Sequence, residues 1–563
     1  MANLIQYAKD EVAKLTHNAY LQAAAAGVLP SGVSINASID IPKDTNHGDY
    51  ASSFALAGSK LMKMPPRKIA EIMIQYIPLE NSCFDHVEIA GPGFLNFKLG
   101  SRWYGNVLNT IEAEGENYGA TDQGKGQRVM VEFVSANPTG TMTIGNARGG
   151  VLGDSTAAVL ERAGYQVWRE FYVNDAGNQV DKFALSLEAR YLQLLQGEES
   201  IVFPEDGYHG EDIKKLARQF YEDYGDSYLT VEPNERRAFM KKFGLEYNIS
   251  KMQSDLERYG IVYDQWFPES TLHESGYVDE TIDLLEQSGY TYEKDGALWF
   301  KVTALGGEKD EVLRRTGGGY TYFAVDIAYH RNKFEVRKFD KVIDVLGADH
   351  HGHALRFKAG ITALGIDNSR LDFLIMQLVQ LLQDGKEVKV SKRSGKSITL
   401  SDLLDEISVD AARFAFNAKP NNHLIFDLDL AIRQDSENPV YYVQYAHARI
   451  CSLLDRLSKE GYFVLPAAQI NAALLSSEEE RALIKCLAQL PEEIFAAARD
   501  YDPSRINRYL IQLAGEFHRF YSSQHIKGEE RDLLEARLKL ADSVRSVLAN
   551  CLQLLGISAP EKM

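Results

Sequence analysis

A strand–helix–strand pattern near residue 150 constrains the fold of this chain more than any other feature. Mostly apolar residues occupy 129–133, helical spacing runs over 144–163, and a second strand pattern covers 165–173. This order predicts two parallel strands joined by a right-handed crossover. Gly145, at the start of the helix, lets a phosphate or a flat base approach bare backbone. The pattern therefore indicates a nucleotide-binding α/β domain.

The same pattern returns after a long charged segment. A strand over 341–346, a helix over 353–364 and a strand over 372–379 form a second unit. We interpret the charged, mostly helical residues at about 180–290 as an insertion between the two units. Two such units predict a split doubly wound, Rossmann-like parallel sheet, in which ligands bind at the carboxyl ends of the strands.

The regions on either side of this sheet have different patterns. Residues 1–120 indicate a small α+β domain, with an amphipathic helix over 4–21 and a strand–turn–strand over 87–97. After Ser401 the apolar spacing predicts helices to the end of the chain. We therefore expect an α/β multidomain protein with domains at 1–120, 121–400 and 401–563, the last of them all-α.

Composition limits the class of protein. The formal net charge of −18 argues mildly against a nucleic-acid partner, although a local basic face on an acidic protein can still bind RNA. The four scattered cysteines form no CxxC pair, which predicts reduced thiols without a zinc site or a disulfide. Without a signal-like N-terminus or a spanning apolar run, we expect a soluble, unexported protein with no membrane partner.

Two distant segments resemble the ATP signatures of class I aminoacyl-tRNA synthetases. The first, usually His-Ile-Gly-His, is Thr-Ile-Gly-Asn at 143–146 here, and the second, usually Lys-Met-Ser-Lys-Ser, is Lys-Val-Ser-Lys-Arg at 389–393. Lysines on a mobile loop suit the neutralisation of a departing pyrophosphate. The resemblance implies catalytic roles for Lys389, Lys392, Thr143 and Asn146. It also implies an ATP site formed by Thr143, Gly145, Asn146, His350, Ser391 and Lys392.

The first segment departs from the family pattern because both histidines are missing. A histidine can carry a positive charge near phosphate, whereas Thr143 offers only a hydroxyl. Tryptophanyl enzymes are similar to this chain here, since Thr-Ile-Gly-Asn is a familiar form in that family, so the change is compatible with activity. The departure leaves open a catalytically impaired paralogue that binds tRNA without charging it.

The residues around these motifs are similar to bacterial-type arginyl-tRNA synthetases, and the resemblance extends nearly end to end. Tyr322 and Asp326 match the family's Tyr-x-x-x-Asp motif, and their spacing puts both on one face of a helix. A guanidinium needs a full negative charge, which Asp326 supplies. The resemblance implies an arginine pocket formed by Glu132, Ser135, Asn137, Tyr322, Asp326 and His350.

The histidine-rich segment 350–353 also invites a metal-site interpretation. Adjacent histidines point in different directions, and no carboxylate–histidine helical pair accompanies them. We therefore predict no metal site here, and the family resemblance implies contacts with ATP or arginine instead.

Both ends of the chain resemble tRNA-binding domains. Asp-Ala-Ala-Arg at 410–413 is similar to the DALR signature of an anticodon-binding domain, and residues 47–50 match an N-terminal domain peculiar to arginyl enzymes. The resemblance implies tRNA contacts at Tyr441, Tyr445, Arg449 and Met563. Tyrosines at this spacing are also typical of a helix core, so that alternative stays open.

The resemblance as a whole implies an arginyl-tRNA synthetase. Such an enzyme activates L-arginine with ATP and Mg²⁺, in the presence of bound tRNA, and transfers it to the 3′ end of tRNA(Arg). We expect it to be cytoplasmic and monomeric, without a structural metal. A class I synthetase for another amino acid is a further alternative.

Overall fold

The computed structural model describes residues 3–42, 47–348, 351–388, 398–418 and 423–563. The first region is an α+β domain, as predicted, with an antiparallel sheet in the order β1-β2-β4-β3. The expected first helix continues to Ala25, and the expected strand–turn–strand is confirmed as β3 and β4. Its elements are α1 (Leu4–Ala25), β1 (Ile39–Asp40), β2 (Tyr50–Ser52), α2 (Phe54–Met62), α3 (Pro66–Met73), β3 (Phe84–Ala90), β4 (Phe94–Leu99) and α4 (Ser101–Glu114).

The first half of the central α/β region contains the predicted strand–helix–strand unit. A short strand, β7, lies inside the expected insertion at 180–290 and pairs in parallel with β6. A strand of the main sheet therefore lies within that segment. Only the parts of the segment before and after β7 are insertions into the sheet. The elements are β5 (Arg128–Glu132), α5 (Ile144–Arg162), β6 (Gln166–Val173), α6 (Asn178–Gln196), α7 (Glu211–Tyr224), α8 (Pro233–Arg258) and β7 (Gln265–Pro268).

The second half completes a parallel sheet with the order β12-β11-β5-β6-β7. Strands β5 and β11, from different halves, are neighbours at its centre, so the doubly wound topology is confirmed and the ligand crevice opens beside them. A small antiparallel sheet, β10-β9-β8, lies between the halves in sequence. The elements are α9 (Ser270–Glu274), α10 (Tyr277–Gln287), β8 (Thr291–Lys294), β9 (Ala297–Phe300), β10 (Glu311–Arg314), α11 (Tyr322–Arg331), β11 (Lys341–Gly347), α12 (His351–Ala363) and β12 (Leu371–Met376).

The C-terminal region is helical apart from one strand. Strand β15 pairs in parallel with β13, so the expectation of helices throughout from Ser401 onward is wrong at this position. The pairing links residues on both sides of the expected domain boundary at 400. The elements are β13 (Val379–Gln383), β14 (Lys386–Glu387), α13 (Leu400–Glu406), α14 (Val409–Asn417), β15 (Leu424–Asp427), α15 (Leu428–Ala431), α16 (Pro439–Lys459), α17 (Glu478–Ala488), α18 (Leu490–Asp500), α19 (Ser504–Ser523) and α20 (Arg531–Leu554).

A continuous apolar core joins the N-terminal domain, one face of the parallel sheet and the C-terminal helices. Tyr118 donates a hydrogen bond to the Leu487 carbonyl at 2.9 Å, and Lys485 forms an ion pair with Asp49. Helices α6, α7 and α8 have a separate aromatic core. Among the described residues, no helix combines the length and the apolarity needed to cross a bilayer.

Helix α5 packs unusually close to the sheet because of a glycine. A Cβ on Gly153 would lie 2.2 Å from the Phe133 ring carbon Cγ, so any side chain there would clash. This close approach fixes the N-terminus of α5 next to the carboxyl end of β5. The helix start and the end of the strand therefore belong to one rigid site.

Candidate active site

The turn that follows β5 is strained and fixed by hydrogen bonds. Val134 and Ser135 have φ angles of 68° and 39°, in the left-handed region that non-glycine residues rarely adopt. The Ser135 hydroxyl donates to Glu132 Oε1 at 2.9 Å and accepts from the Tyr172 backbone N–H at 3.1 Å. The predicted pair Glu132 and Ser135 is thus brought together at the carboxyl edge of the sheet.

Glu132 is one end of a buried chain of charges. Its Oε2 lies 2.5 Å from Lys333 Nζ, and Nζ lies 2.9 Å from Asp344 Oδ1. The other Asp344 oxygen lies 2.7 Å from His330 Nε2. Burial raises the pKa of the Glu132 carboxyl, and Lys333 opposes that rise. Burial also acts to raise the pKa of Asp344, but Lys333 and His330 outweigh it and hold that pKa well below its usual range.

Asp326 is a carboxyl without a local partner. It lies on α11 one turn after Tyr322, so the predicted shared helical face is confirmed. Within the described residues its carboxyl oxygens make no hydrogen bond, and burial raises its pKa to about 7. The negative charges of Glu269 and Glu132 add to this rise. A half-buried carboxyl with this environment is suited to receive a cation.

Glu269 is a site residue that sequence reasoning missed. It follows the last residue of β7, and its Oε2 accepts from the Tyr172 hydroxyl at 2.9 Å. Its side chain is buried, and burial raises its pKa. It lines a cavity of about 260 Å³ together with Tyr322 and Val325. In the sequence, the only indication of this residue is an acidic side chain after a short strand. From the sequence, that part of the chain is interpreted as a helical insertion.

Asn137 lies apart from this carboxylate group. Its side chain is exposed, and its Nδ2 donates to Gln179 Oε1 at 2.8 Å. The bond connects the loop before α5 with the start of α6. Tyr322 lies near the same point, because a Cβ on Gly177 would be 3.6 Å from its hydroxyl oxygen. Asn137 and Tyr322 thus both lie near the start of α6.

The motif at 143–146 forms the N-terminus of α5. Thr143 Oγ1 accepts from the Asn146 backbone N–H at 3.3 Å, and Asn146 Oδ1 accepts from the Thr143 N–H at 2.8 Å, which makes a capping box. The remaining free N–H groups and the helix dipole favour an anion. A Cβ on Gly145 would meet only the Thr143 hydroxyl oxygen, at 3.5 Å, so the protein's own packing does not require a glycine.

The second motif and one histidine lie outside the described residues: Lys389, Ser391, Lys392 and His350. The residues that follow the second motif are described, and they contact the first. Thr399 forms an antiparallel bridge with Thr143, and the Leu400 N–H donates to the Met142 carbonyl at 3.0 Å. The fold therefore brings residues that follow the second segment, Thr399 and Leu400, against the first segment.

A stacked aromatic surface lies on α16 and α19. The Tyr441 and Tyr445 rings are 6.2 Å apart and nearly parallel, and Tyr445 is 40% exposed. The Arg449 guanidinium lies 4.2 Å from the Tyr521 ring centroid and 5.8 Å from that of Tyr445. Tyr445 is thus not a core residue, and the group is an exposed aromatic and cationic surface.

The C-terminal segment is held up to Pro560. His447 Nδ1 lies 2.9 Å from the Pro560 carbonyl oxygen, and Asp410 accepts from the Ser558 N–H at 3.0 Å. The last residue, Met563, is 52% exposed. The C-terminal segment is thus packed up to Pro560, and Met563 itself is accessible.

The arginine of the DALR-like motif is a structural link to α5. Arg413 is fully buried, donates to the Leu555 carbonyl at 2.7 Å and pairs with Asp154 Oδ2 at 2.5 Å. Asp154 lies on α5, whose N-terminus carries the first motif. This motif therefore fixes the position of the C-terminal helices relative to the catalytic domain. In the described part of the chain, no group of three or more histidine, cysteine or acidic residues is arranged to hold a metal.

Three family models match the chain. The arginyl tRNA synthetase N-terminal domain matches residues 6–99, the catalytic domain of class I (R) tRNA synthetases matches 107–435, and the DALR anticodon-binding domain matches 443–563. Together they account for nearly all of the sequence.

Curated relatives are similar over the full length. An arginine–tRNA ligase from Acetivibrio thermocellus is 51% identical and one from Caldanaerobacter subterraneus is 50% identical, each covering 100% of both chains. The solved arginyl-tRNA synthetase of Thermus thermophilus has the same fold, with a TM-score of 0.70 at 23% identity, covering 97% of this chain and 99% of that one.

Proposed function

Because the chain belongs to the arginyl-tRNA synthetase family and is an arginine–tRNA ligase, we propose that the carboxyl edge of its central sheet is where arginine is activated. The observation that carries this proposal is that Glu269 and Glu132 both act on the Asp326 carboxyl and raise its pKa, while Glu269 also lines a cavity beside Tyr322. A planar guanidinium with several donors needs more than one acceptor carrying negative charge. Three carboxyl groups so close together, with Glu269 buried and Glu132 and Asp326 half-buried, are costly to keep ionised without such a ligand.

At the amino-acid end, each residue has a distinct role. Asp326 and Glu269 bind the guanidinium, and Tyr322 covers it from the rim. Glu132, Ser135 and Asn137 contact the α-amino and carboxylate end, nearer to the nucleotide. His350 completes this group by family resemblance, and its position lies outside the described residues.

At the nucleotide end, ATP lies against the N-terminus of α5. Gly145 lets the nucleotide approach the backbone, and Thr143 and Asn146 hold the first helical turn in shape. Lys389, Ser391 and Lys392 are assigned to the triphosphate by family resemblance. Mg²⁺ enters with the triphosphate as part of the substrate.

The reaction then proceeds in two steps. An arginine carboxylate oxygen attacks the α-phosphorus of ATP, the bond to the β-phosphate oxygen breaks, and pyrophosphate leaves while the lysines neutralise its charge. A hydroxyl of the terminal adenosine of tRNA(Arg) next attacks the arginyl carbonyl carbon, and AMP leaves. Fixed carboxylates at one end and a helix start at the other keep both reactants aligned.

The C-terminal aromatic surface is proposed to bind tRNA. Tyr441 and Tyr445 offer flat faces for unstacked bases, and Arg449 offers a charge for phosphate or a ring. Met563 is accessible beside the anchored C-terminal segment. We also propose domain limits at 1–120, 121–400 and 401–563, a monomeric state and a cytoplasmic location.

The test is arginine-dependent exchange of pyrophosphate into ATP, measured with and without tRNA(Arg). We expect the exchange to require the tRNA. Citrulline or lysine at the same concentration as arginine should not displace arginine. An impaired paralogue would bind tRNA without exchange, and a synthetase for another amino acid would exchange with that amino acid instead.

The tRNA surface has its own test. Tyr445→Ala is expected to raise the KM for tRNA because stacking contributes roughly 1–3 kcal/mol per base. The KM for arginine should not change. An unaltered KM for tRNA would remove this surface from the proposal.

A further inference from the structure

Lys333 is a buried lysine that the proposed reaction does not use. Its side chain is fully buried, and its ammonium lies between Glu132 Oε2, at 2.5 Å, and Asp344 Oδ1, at 2.9 Å. The ammonium also lies 4.2 Å from the Tyr329 ring centroid. Removing an ammonium from water costs several kcal/mol unless good partners compensate. The surrounding residues therefore supply the partners that compensate for the cost of burying this ammonium.

Local backbone geometry places Lys333 at this point. Helix α11 ends at Arg331 and continues as a π-helical turn over Asn332–Val336. Such turns are rare and are frequent at functional sites. The turn lets both His330 and Lys333 reach Asp344 on β11 while Lys333 also reaches β5. One side chain thus connects the two central strands at the topological switch point.

We propose that Lys333 is a positioning residue for arginine, which keeps Glu132 ionised and pointing in a fixed direction towards the α-ammonium group of the substrate. The inference rests on the proposed function, since it takes Glu132 as a substrate contact. Glu132 is held at both oxygens, by Ser135 at one and by Lys333 at the other. Its orientation is therefore set before arginine arrives.

The charges around Glu132 explain why a cation is needed there. Acidic or ionisable groups face it from several elements, and Lys333 is the cation in direct contact with it. Burial and Asp344 both raise the pKa of Glu132, while Lys333 lowers it. The groups that interact with it are Lys333, His330, Asp344, Asp326, Tyr172, Tyr263 and Tyr329. Without Lys333 the carboxyl retains its proton to higher pH, and a neutral Glu132 does not attract an ammonium group.

A purely structural role for Lys333 makes a different prediction. In that case Lys333 serves only to neutralise Asp344 during folding. Asp344 already has His330 at 2.7 Å, so it keeps a partner when the lysine is removed. A structural role would lower stability and affect arginine and ATP alike, whereas a positioning role affects arginine alone and depends on pH.

The experiment compares Lys333→Met with Lys539→Met in the full-length enzyme with tRNA. Lys539 is the matched control because it is also buried and also lies between two carboxylates, 3.3 Å from Glu112 and 3.8 Å from Asp542. Pyrophosphate exchange gives the KM for arginine and for ATP from pH 6 to 9. For Lys333→Met we expect the arginine KM to rise roughly 10- to 100-fold near neutral pH and to recover as the pH rises. The ATP KM should change less than about twofold, and Lys539→Met should change neither.

A double variant tests whether Lys333 acts through Glu132. In a Glu132→Gln background, Lys333→Met should add less than about a twofold change in the arginine KM, because the carboxylate that it orients is gone. The double variant also removes both charges of the pair, so it provides the comparison if the single variant fails to fold. A large added effect in this background would overturn the inference, as would equal rises in both KM values or a pH-independent loss.

Failure of the proposed function has a different signature. If Glu132→Gln leaves the arginine KM unchanged, the assignment of Glu132 is wrong and the inference falls with it. If Glu132→Gln raises the arginine KM but Lys333→Met lowers only the thermal stability, the proposed site stands and the inference alone is overturned.

Discussion

The two ends of the active-site cleft are built in different ways. At the amino-acid end, charged side chains from β5, α11, β11 and the residue after β7 meet in a buried environment. At the nucleotide end, the side chains of Thr143 and Asn146 bond to each other and leave the helix backbone to meet a ligand. The first end depends on side-chain charge, whereas the second depends on main-chain geometry.

This difference has a physical cause. A guanidinium differs from other amino-acid side chains in its charge and in its N–H donors. Both interact strongly with an acidic pocket of low dielectric constant. A phosphate is bound by backbone N–H groups at almost any helix start. The nucleotide end therefore tolerates changes in side-chain identity, and the replacement of both histidines by Thr143 and Asn146 is consistent with that tolerance.

The largest expected effect is that of Asp326→Asn, which removes the charge and keeps the size of the side chain. Arginine binding should weaken by roughly 2–5 kcal/mol because a desolvated charged contact is broken. ATP binding should change little, and the free protein should become more stable because a buried charge is gone. Calorimetric binding of both ligands and thermal unfolding measure this, with the exposed Asp295→Asn as control. Equal losses for the two ligands would contradict the division of the cleft.

A smaller effect is expected from Glu269→Gln. The amide can still accept from the Tyr172 hydroxyl, so the packing is kept while one charge is lost. Losing a charged hydrogen-bond acceptor should weaken arginine binding by about 1.5–3 kcal/mol and reduce the preference for arginine over citrulline. Competition by citrulline in the exchange reaction measures this preference. An unchanged preference would mean that Glu269 does not face the guanidinium.

The pH dependence should distinguish the two ends. The Asp326 pKa is about 7 in the folded protein, above the ordinary value of 3.8, so the carboxyl takes up a proton as the pH falls below 7. Arginine affinity should then fall by up to about tenfold per pH unit, while ATP affinity does not follow this change. Between pH 4 and 7 the folded state binds more protons than the unfolded chain, so the contribution of this group to stability is lost as the pH rises. Asp326→Asn should abolish both trends.

The smallest effect is expected from Thr143→Ala. Loss of the N-cap should lower the free energy of unfolding by about 0.5–2 kcal/mol and should not change the arginine KM. Ser477→Ala removes the same kind of capping box from α17, remote from the cleft, and controls for the loss of a cap. The two variants should lose similar stability, and only Thr143→Ala should raise the ATP KM. A rise in the arginine KM would show that the two ends are not separate.

Parts of the site that follow local rules were accessible from the sequence. The spacing of Tyr322 and Asp326 predicted one helical face, and α11 provides it. The helical spacing over 144–163, with Gly145 at its start, predicted a helix from 144, and α5 starts there. These features depend on periodicity and capping within a few residues, which a sequence displays directly.

Other parts depend on contacts between distant residues. Strand β7 is only four residues long and lies within a charged segment, so its membership of the parallel sheet, and with it the role of Glu269, was not visible. The helical pattern around Lys333 did not indicate its role, because its two partners are 201 and 11 residues away in sequence. Asp344 is a charged residue inside an apolar strand, which is unusual. Periodicity alone does not indicate the role of such a residue.

The sequence by itself determined the doubly wound sheet, the two nucleotide motifs and the helix that carries Tyr322 and Asp326. Only the tertiary structure decided which carboxylates raise the pKa of Asp326, that Lys333 lies between Glu132 and Asp344, and that Arg413 ties the C-terminal helices to α5. The reason is that local backbone preferences act over a few residues, whereas the strength of a charge–charge contact depends on burial and on the dielectric around it, which the folded chain alone creates.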